Sequence, residues 1–243
     1  MTAASSEVPP RSSAFTQADS DGAKPHICIC ICTFQRPELL RRLLDRLCEL
    51  PDATDEFTLS CVVLDNDEAR SAAGVAKVVQ DSRKLLLEYE CEVERNFAVV
   101  RNRVVSSARG EFIAFIDDDE IPEKDWLRRL FATTKQYGCD GALGPVRPYF
   151  ESPPPVWLER SRLCHRPVHP TGMLLDWRQT RTGNVLLRRD IFEPGGIWFD
   201  PVYRTGGEDV DFFKTVRAPL VHRLAPGPYL SEIPPCRRAR RKW

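Results

Sequence analysis

The sequence predicts an α/β domain with a mostly parallel central sheet flanked by helices. Short apolar segments of strand length alternate along the chain with segments in which apolar residues recur at helical spacing. This alternation predicts βαβ units, in which helices join parallel strands and a ligand binds beyond the carboxyl ends of the strands. The chain has 243 residues, which is enough for one such domain with a substantial core.

The first strand and the first helix have the clearest patterns. Three isoleucines alternate with three cysteines from Ile27 to Cys32, so both faces of this strand are apolar, as is typical of a central parallel strand. Pro37 stands where a helix can begin, and leucines recur at helical spacing from Leu39 to Leu50. We therefore expect the first strand at the centre of the sheet, followed by an amphipathic helix.

The remaining elements are predicted in the same way. Gly110 is placed to end a helix that begins near Asn96. Beyond Arg217, five prolines in 26 residues make regular structure unexpected. The predicted strands after the first are residues 59–64, 85–89, 112–116 and 182–188, and the predicted helices after the first are 96–109, 126–131 and 206–213.

Charge limits the partners that the protein can attract. Lysine and arginine together number 35, as do aspartate and glutamate, so the formal net charge is zero. No overall field would draw the protein to nucleic acid, and we expect no nucleic-acid partner. Residues 237–242 include five basic side chains. They are either a solvated tail or a peripheral contact with an anionic membrane.

Cysteine usage and hydropathy bear on the compartment. The nine cysteines include no C-x-x-C pair, and Cys28 and Cys32 are expected roughly 13 Å apart, too far to share one zinc ion. We therefore expect the cysteines to be reduced thiols of a cytoplasmic protein. The sequence contains no run of about 18 apolar residues, so no membrane span is predicted. Residues 1–25 are predicted to be a flexible lead, residues 26–217 the folded domain, and residues 218–243 an irregular basic segment.

Polar residues follow three of the predicted strands. Residues 33–36 follow the first strand, 65–67 the second and 117–119 the fourth, so we expect them to converge at one edge of the sheet. Residues 117–119 are three aspartates, which repel one another unless they share a cation. Mg²⁺ or Mn²⁺, bound by one or two carboxylates and by substrate phosphates, suits so few protein ligands. A solvated acidic turn is the alternative.

Five sequence blocks carry a family resemblance. They read ICICTFQRP at 29–37, VVLDN at 62–66, RN at 95–96 and again at 101–102, GEFIAFIDDD at 110–119, and GEDVDF at 207–212. In this order they resemble glycosyltransferase family 2, which has the GT-A fold. The resemblance covers residues 26–216, and within the family it is to bacterial exopolysaccharide enzymes of the succinoglycan ExoM type. It implies a nucleotide-sugar donor and Mn²⁺ or Mg²⁺ as cofactor.

The resemblance implies a nucleotide pocket made by four residues. Thr33, Arg36 and Asp65 would surround the base, and Arg101 would close over the same pocket. Each has an alternative interpretation from the residues themselves. Arg36 can pair or cap at the start of a helix, Asp65 can form a turn, and Arg101 can be a charge on an exposed helix face.

The resemblance also implies a metal site and a catalytic base. Asp117 to Asp119 resemble the D-x-D motif of the family, so that Asp117 and Asp118 would contact the donor, with Asp118 near the ribose. Asp119, together with Asp117, would hold the metal. Glu208 and Asp209 resemble the E-D pair in which the aspartate takes a proton from the acceptor hydroxyl. An inverting transfer needs such a carboxylate on the face opposite the leaving diphosphate.

These expectations describe one function and two rivals. The chain would transfer a hexose from a nucleotide sugar, a UDP-sugar, to a saccharide or lipid-linked saccharide with inversion, in exopolysaccharide or cell-envelope biosynthesis. It would act in the cytoplasm or at the inner face of the membrane. One rival is a sugar-phosphate nucleotidyltransferase, whose Gly-rich, Lys-bearing loop is missing after the first strand. The other is a non-catalytic donor-binding remnant, because the chain becomes proline-rich where family members continue with acceptor-side elements.

Overall fold

The computed structural model describes residues 24–50, 55–150, 152–161, 163–193, 195–216, 220–222 and 230–232. The strands in these ranges are β1 (His26–Thr33), β2 (Thr58–Asp65), β3 (Leu87–Cys91), β4 (Phe112–Phe115), β5 (Glu120–Ile121), β6 (Gly141–Leu143), β7 (Arg147–Tyr149), β8 (Met173–Leu174), β9 (Val185–Arg188), β10 (Leu220–His222) and β11 (Leu230–Glu232). The α-helices are α1 (Pro37–Cys48), α2 (Ala73–Ser82), α3 (Phe97–Ser107), α4 (Trp126–Tyr137), α5 (Val156–Ser161) and α6 (Glu208–Thr215).

An eight-stranded sheet with the order β3-β2-β1-β4-β9-β6-β10-β8 forms the centre of the fold. β3, β2, β1 and β4 pair in parallel, and β10 pairs in parallel with β6. β9 runs antiparallel between β4 and β6, and β8 is an antiparallel edge strand. The predicted mostly parallel sheet is therefore confirmed. A smaller sheet joins β5, β11 and β7.

β1 lies between two hydrophobic cores, as its apolar faces predict. Its isoleucines pack with buried leucines of α1 and with Trp126 of α4. Its cysteines Cys28 and Cys30 pack on the opposite face with buried residues of α3 and α6. All eight cysteines in the described ranges are free thiols. The strand is thus held from both sides, which fixes the position of the residues that follow it.

Several element boundaries differ from the prediction. β3 begins two residues later than expected and continues to Cys91. β9 begins only at Val185, because Asn184 adopts a left-handed conformation with φ of 54° that ends a turn before the strand. The helix α2 was not predicted, and neither were β5 to β8, which have only two or three residues each and so carry no readable periodicity.

The expectation of no regular structure beyond Arg217 is wrong for two short segments. β10 extends the main sheet beside β6, and β11 lies between β5 and β7. The five prolines of this region all fall outside both strands, so none removes a donor from the sheets. The predicted lead falls outside the described residues apart from Lys24 and Pro25, and so does the basic stretch 237–242.

None of the helices in the described part of the chain combines the length and the apolar character that crossing a membrane requires.

Asn184 joins the late part of the chain to the core. Its side-chain oxygen accepts a hydrogen bond from Nε1 of the fully buried Trp126 at 2.7 Å, and its amide nitrogen donates to the carbonyl oxygen of Pro145 at 2.9 Å. Gly144 lies so close that an added Cβ would be 2.4 Å from the Asn184 amide. These contacts fix the turn before β9 to α4 and to the end of β6.

We predict that Asn184→Leu strongly destabilises the protein. The change leaves the Trp126 N–H and the Pro145 carbonyl buried without partners, at about 1 to 3 kcal/mol each. A branched side chain is also strained at a positive φ. Denaturant unfolding should therefore show a loss of about 2 to 5 kcal/mol. Gln136→Leu, which replaces an exposed amide on α4, is the control and should stay within about 0.5 kcal/mol of wild type. Equal stability of the two variants would contradict this role of Asn184.

Candidate functional site

A cleft of about 640 Å³ opens at the carboxyl ends of β1, β2 and β4. It brings together most of the residues singled out in the sequence, from segments that are far apart in the chain. Two glycines, Gly206 and Gly207, have φ of 131° and 97° and lead the chain into α6 beside this cleft. The predicted site residues that line it are Thr33, Arg36, Arg101, Asp117, Asp118, Asp119, Glu208 and Asp209.

The acidic turn after β4 is anchored by its middle residue. The Asp118 side chain is 6% exposed, and its carboxylate accepts a hydrogen bond from Oγ1 of Thr33 at 2.8 Å and lies 3.1 Å from Nη1 of Arg36. Burial raises the pKa of the Asp118 carboxyl, and Arg36 and Thr33 partly offset this effect. Asp117 is exposed, and the Asp119 side chain is 27% exposed, with its Oδ2 lying 3.4 Å from Nη1 of Arg36. The two outer carboxylates are thus accessible from the cleft.

Glu120 adds a fourth carboxyl group to the acidic turn, one that was not among the predicted site residues. It is buried, and burial together with the charges of Asp117 and Asp119 raises its pKa well above the usual value. A Cβ on Gly183 would stand 2.9 Å from Oε1 of Glu120 and 3.0 Å from Oδ2 of Asp117. Because Gly183 has no side chain, it leaves room for the carboxyl groups of Glu120 and Asp117. The signal in the sequence was an acidic residue directly after the aspartate triplet.

The donor set of the acidic turn fits a hard cation that also binds a substrate. Within the residues that the structure describes, no group of three or more His, Cys, Asp or Glu side chains is arranged to hold a metal ion. Asp117 and Asp119 offer carboxylate oxygens to the cleft. Mg²⁺ and Mn²⁺ accept one or two such ligands when phosphate oxygens and water complete their coordination. A metal ion bound at the acidic turn would therefore need a bound substrate to complete its coordination shell.

A buried ion pair closes the opposite side of the cleft. Arg101 on α3 contacts the carboxylate of Glu208, the first residue of α6, and both side chains are largely buried, at 15% and 4% exposure. The guanidinium carbon of Arg101 also lies 5.8 Å from the centre of the Phe199 ring. The structure thus places Arg101 in the cleft, as predicted, but engaged by Glu208. Its predicted contact with a nucleotide base stays a prediction.

Asp209 follows this ion pair and lies at the cleft surface. It is half-buried, and its Oδ1 accepts a hydrogen bond from the backbone N–H of Val210 at 2.8 Å. Asn102 on α3 holds the segment that leads to it, through paired contacts of 2.8 and 3.0 Å with the backbone of Phe199. Of the two neighbouring acidic residues, Glu208 is committed to Arg101, whereas Asp209 faces the cleft.

Asp65 does not line the cleft. Its fully buried carboxylate accepts hydrogen bonds from the backbone N–H of Ala72 at 2.9 Å, from that of Asp67 at 3.1 Å and from the hydroxyl of Tyr89 at 2.9 Å. These contacts order the loop after β2, which agrees with the turn-forming alternative. The next residue, Asn66, lines the cleft instead. The predicted strand end therefore borders the cleft through Asn66, whose buried side chain donates hydrogen bonds to the backbone carbonyl oxygens of Glu92 and Glu94.

Comparison with known proteins places the chain in a family. Residues 28–196 match the family described as Glycosyl transferase family 2. The chain is 33% identical over 222 residues to the succinoglycan biosynthesis protein ExoM of Rhizobium meliloti, which covers 90% of this chain and 70% of that protein. It is 27% identical over 108 residues to an uncharacterized glycosyltransferase, MJ1057, of Methanocaldococcus jannaschii, covering 44% of this chain and 37% of that one. Glu208 and Asp209 lie outside the matched range. The match assigns no role to any residue, so the roles of all the predicted site residues stay predictions.

Solved structures share the fold at low sequence identity. TarS 1-349 of S. aureus superposes with a TM-score of 0.65 and 18% identity, over 85% of this chain and 60% of that one. The mannosyltransferase PcManGT of Pyrobaculum calidifontis, in complex with GDP-Man and Mn²⁺, superposes with a TM-score of 0.58 and 17% identity, over 87% of this chain and 57% of that one. The chain therefore spans less than two thirds of these structures. They confirm the predicted GT-A fold.

The ion pair of Arg101 and Glu208 predicts a stability pattern. Arg101→Met leaves the Glu208 carboxylate buried without its cation, which should lower the free energy of unfolding by about 3 to 5 kcal/mol. The double variant Arg101→Met/Glu208→Leu removes both charges and should be more stable than Arg101→Met alone. Denaturant unfolding measures both.

Arg103→Met is the matched control for this experiment. Arg103 lies on the same helix and pairs with Glu90 at a more exposed position, so its loss should cost no more than about 1 kcal/mol. A double variant that is less stable than Arg101→Met would contradict the account of a buried, mutually dependent pair.

Proposed function

Because the chain belongs to glycosyltransferase family 2, we propose that it transfers a hexose from a UDP-sugar to a hydroxyl group of a saccharide or lipid-linked saccharide. The transfer inverts the configuration of the anomeric carbon and serves the synthesis of an exopolysaccharide or another cell-envelope polymer. The single observation that carries this proposal is the acidic turn. Asp118 is fixed between Thr33 and Arg36, which leaves Asp117 and Asp119 accessible in the same cleft as Asp209.

The donor end of the cleft is the side formed by β1 and β2. Thr33, Arg36 and Asn66 line this side, beyond the carboxyl ends of parallel strands, where open α/β sheets bind their ligands. TarS, which has the same fold, was solved in complex with UDP-GlcNAc and with UDP, whereas PcManGT was solved in complex with GDP-Man. The two TarS complexes superpose on this chain with TM-scores of 0.67 and 0.66, and the uridine nucleotides in them support the choice of a UDP-sugar.

A divalent cation, Mn²⁺ or Mg²⁺, held by Asp119 and Asp117 would neutralise the charge that develops on the departing diphosphate. The chain's own residues prepare the site for it. Arg36 bridges Asp118 and Asp119, which holds the two carboxylates at one end of the turn. Asp117 stays exposed beside the buried Glu120. The mannosyltransferase with the same fold was solved with Mn²⁺, which supports the choice of ion.

Asp209 is the proposed general base. It would accept the proton of the acceptor hydroxyl while the hydroxyl oxygen forms a bond to the anomeric carbon of the donor sugar. The bond from that carbon to the diphosphate oxygen breaks in the same step, and the nucleoside diphosphate leaves with the electron pair. Glu208 positions this residue through its ion pair with Arg101. The assignment of exopolysaccharide synthesis rests on the relative that acts in succinoglycan biosynthesis.

We predict that UDP binding depends on a divalent cation and on Asp119. Calorimetry of the wild type should show UDP affinity at least about tenfold tighter in Mn²⁺ than in EDTA, because the cation links the carboxylates to the phosphates. Asp119→Ala should bind UDP weakly and without regard to Mn²⁺. Asp81→Ala, at an exposed position on α2, is the control and should match the wild type. Equal UDP affinity of the wild type in Mn²⁺ and in EDTA would refute the metal assignment.

We predict that Asp209→Asn separates donor binding from chemistry. The variant should keep UDP affinity within about twofold and lose about 10² to 10⁴ in turnover of the UDP-sugar to an added acceptor or to water, since only the base is removed. Glu208→Gln should lose less turnover, although it should be less stable because Arg101 loses its counter-charge. Both variants should be assayed at a temperature at which each is folded.

Two outcomes would overturn the assignment of the base. Near-normal turnover by Asp209→Asn would show that this carboxylate is not needed for proton transfer. A larger loss of turnover in folded Glu208→Gln than in Asp209→Asn would place the base one residue earlier.

A further inference from the structure

Three arginines line the cleft on the side away from Thr33. Arg166, Arg178 and Arg181 lie in the segment that precedes β9, and the main-chain turn after Arg181 leads to Gly183 beside the acidic turn. In the sheet, β1 and β2 lie on one side of β4, whereas β9 and β6 lie on the other. The arginines therefore extend the cleft past the acidic turn, opposite the proposed nucleotide end.

Arg178 is already neutralised within the protein. Its Nη1 lies 3.2 Å from the carboxylate of Asp176, and its guanidinium carbon stacks 4.2 Å from the centre of the Trp177 ring. The Arg178 guanidinium is therefore paired with a carboxylate and stacked on an aromatic ring even without a bound ligand.

Arg181 lacks a comparable partner. Its Nη2 donates to the carbonyl oxygen of Gly144 at 2.9 Å, but it makes no ion pair within the described residues, and its buried Nε has no acceptor there. Burial and the nearby charge of Arg166 lower the pKa of Arg181 to about 10, and Glu120 and Asp117 offset only part of this effect. The protein thus holds a cation in a place where its charge is poorly compensated.

Arg166 stands next to this site and faces solvent. It is exposed, and in the described part of the chain it has neither an ion pair nor a hydrogen bond. Two like charges placed together in a cleft repel each other, and a bound anion that accepts hydrogen bonds from both would remove the repulsion. Planar guanidinium groups bind phosphate and carboxylate groups in bidentate fashion.

We propose that Arg166 and Arg181 form a subsite for an anionic group, a phosphate or a carboxylate, on the acceptor saccharide. The inference rests on the proposed function, because that function makes the acceptor the ligand on this side of the acidic turn. The proposed function places the donor's diphosphate, through its divalent cation, at Asp117 and Asp119, which line the cleft between the β1 and β2 side and the arginines before β9. An acceptor that places its hydroxyl at Asp209 reaches the arginines through the same cleft.

The test measures binding of three small probes by calorimetry to protein saturated with UDP and Mn²⁺, which blocks the donor site. The probes are galactose 1-phosphate, glucuronate and the neutral methyl galactoside. We expect one of the anionic probes to bind at least about tenfold more tightly than the neutral one, and the preferred anion identifies phosphate or carboxylate as the recognised group. Arg166→Gln and Arg181→Gln should each remove most of this preference, with UDP affinity unchanged within about twofold.

Arg160→Gln is the matched control, because it removes the same charge from the exposed end of α5, outside the cleft, and should leave probe binding unchanged. Arg166 is exposed, so its variant tests the subsite even if Arg181→Gln folds poorly. Equal binding of the neutral and anionic probes would overturn the proposal, and so would an equal loss in Arg160→Gln.

Two further arms separate this proposal from the donor site. If the Arg166 and Arg181 variants lose UDP affinity, or lose a preference for UDP-glucuronate over UDP-glucose, the arginines serve the donor and the acceptor subsite is refuted. If wild-type protein fails to bind UDP, the proposed function fails. Titration of the nucleotide-free protein with the same three probes then still decides whether Arg166 and Arg181 bind an anion.

Discussion

The contact on which the site depends is the burial of the Asp118 carboxylate between Thr33 and Arg36. Thr33 ends β1 and Arg36 precedes α1 in the same short loop, whereas Asp118 lies in the turn after β4, so one carboxylate joins two segments that are distant in the chain. Burying a charge is costly unless it is paired and hydrogen-bonded, and here it is both. The anchored middle residue determines that Asp117 and Asp119 are the accessible carboxylates of the turn.

A second buried ion pair, between Arg101 and Glu208, fixes the other side of the cleft. Arg101 holds Glu208, and Asn102, its neighbour on α3, holds the backbone of Phe199. Both contacts fix the route of the chain through Gly206 and Gly207 into α6. The cleft thus has two walls, each rigidified by an arginine and a carboxylate, with the accessible acidic side chains between them. Such preorganisation suits a site that must hold a charged substrate in one orientation.

The fold was predictable because its central strand has an unmistakable pattern. The alternation in β1 requires apolar cover on both faces, and the polar residues after β1, β2 and β4 then have to meet at one edge of the sheet. Which of those residues face the cleft, and which only order the loops, was not predictable from the sequence. Whether Asp65 or Asn66 faces the cleft depends on hydrogen bonds from Ala72 and Tyr89, which are contacts between segments and leave no local signal. The same holds for the arginines before β9, whereas Glu120 did leave a signal, because it directly follows the three aspartates.

The most direct test of the account is a crystal structure of the protein with UDP and Mn²⁺. The account predicts Mn²⁺ between the diphosphate and the carboxylate of Asp119, with the uracil base on the β1 and β2 side and Asp118 still held by Thr33 and Arg36. Arg166 and Arg181 should remain free of the nucleotide. A diphosphate bound to these arginines, or a nucleotide outside the cleft, would contradict the assignment of the acidic turn as the donor site.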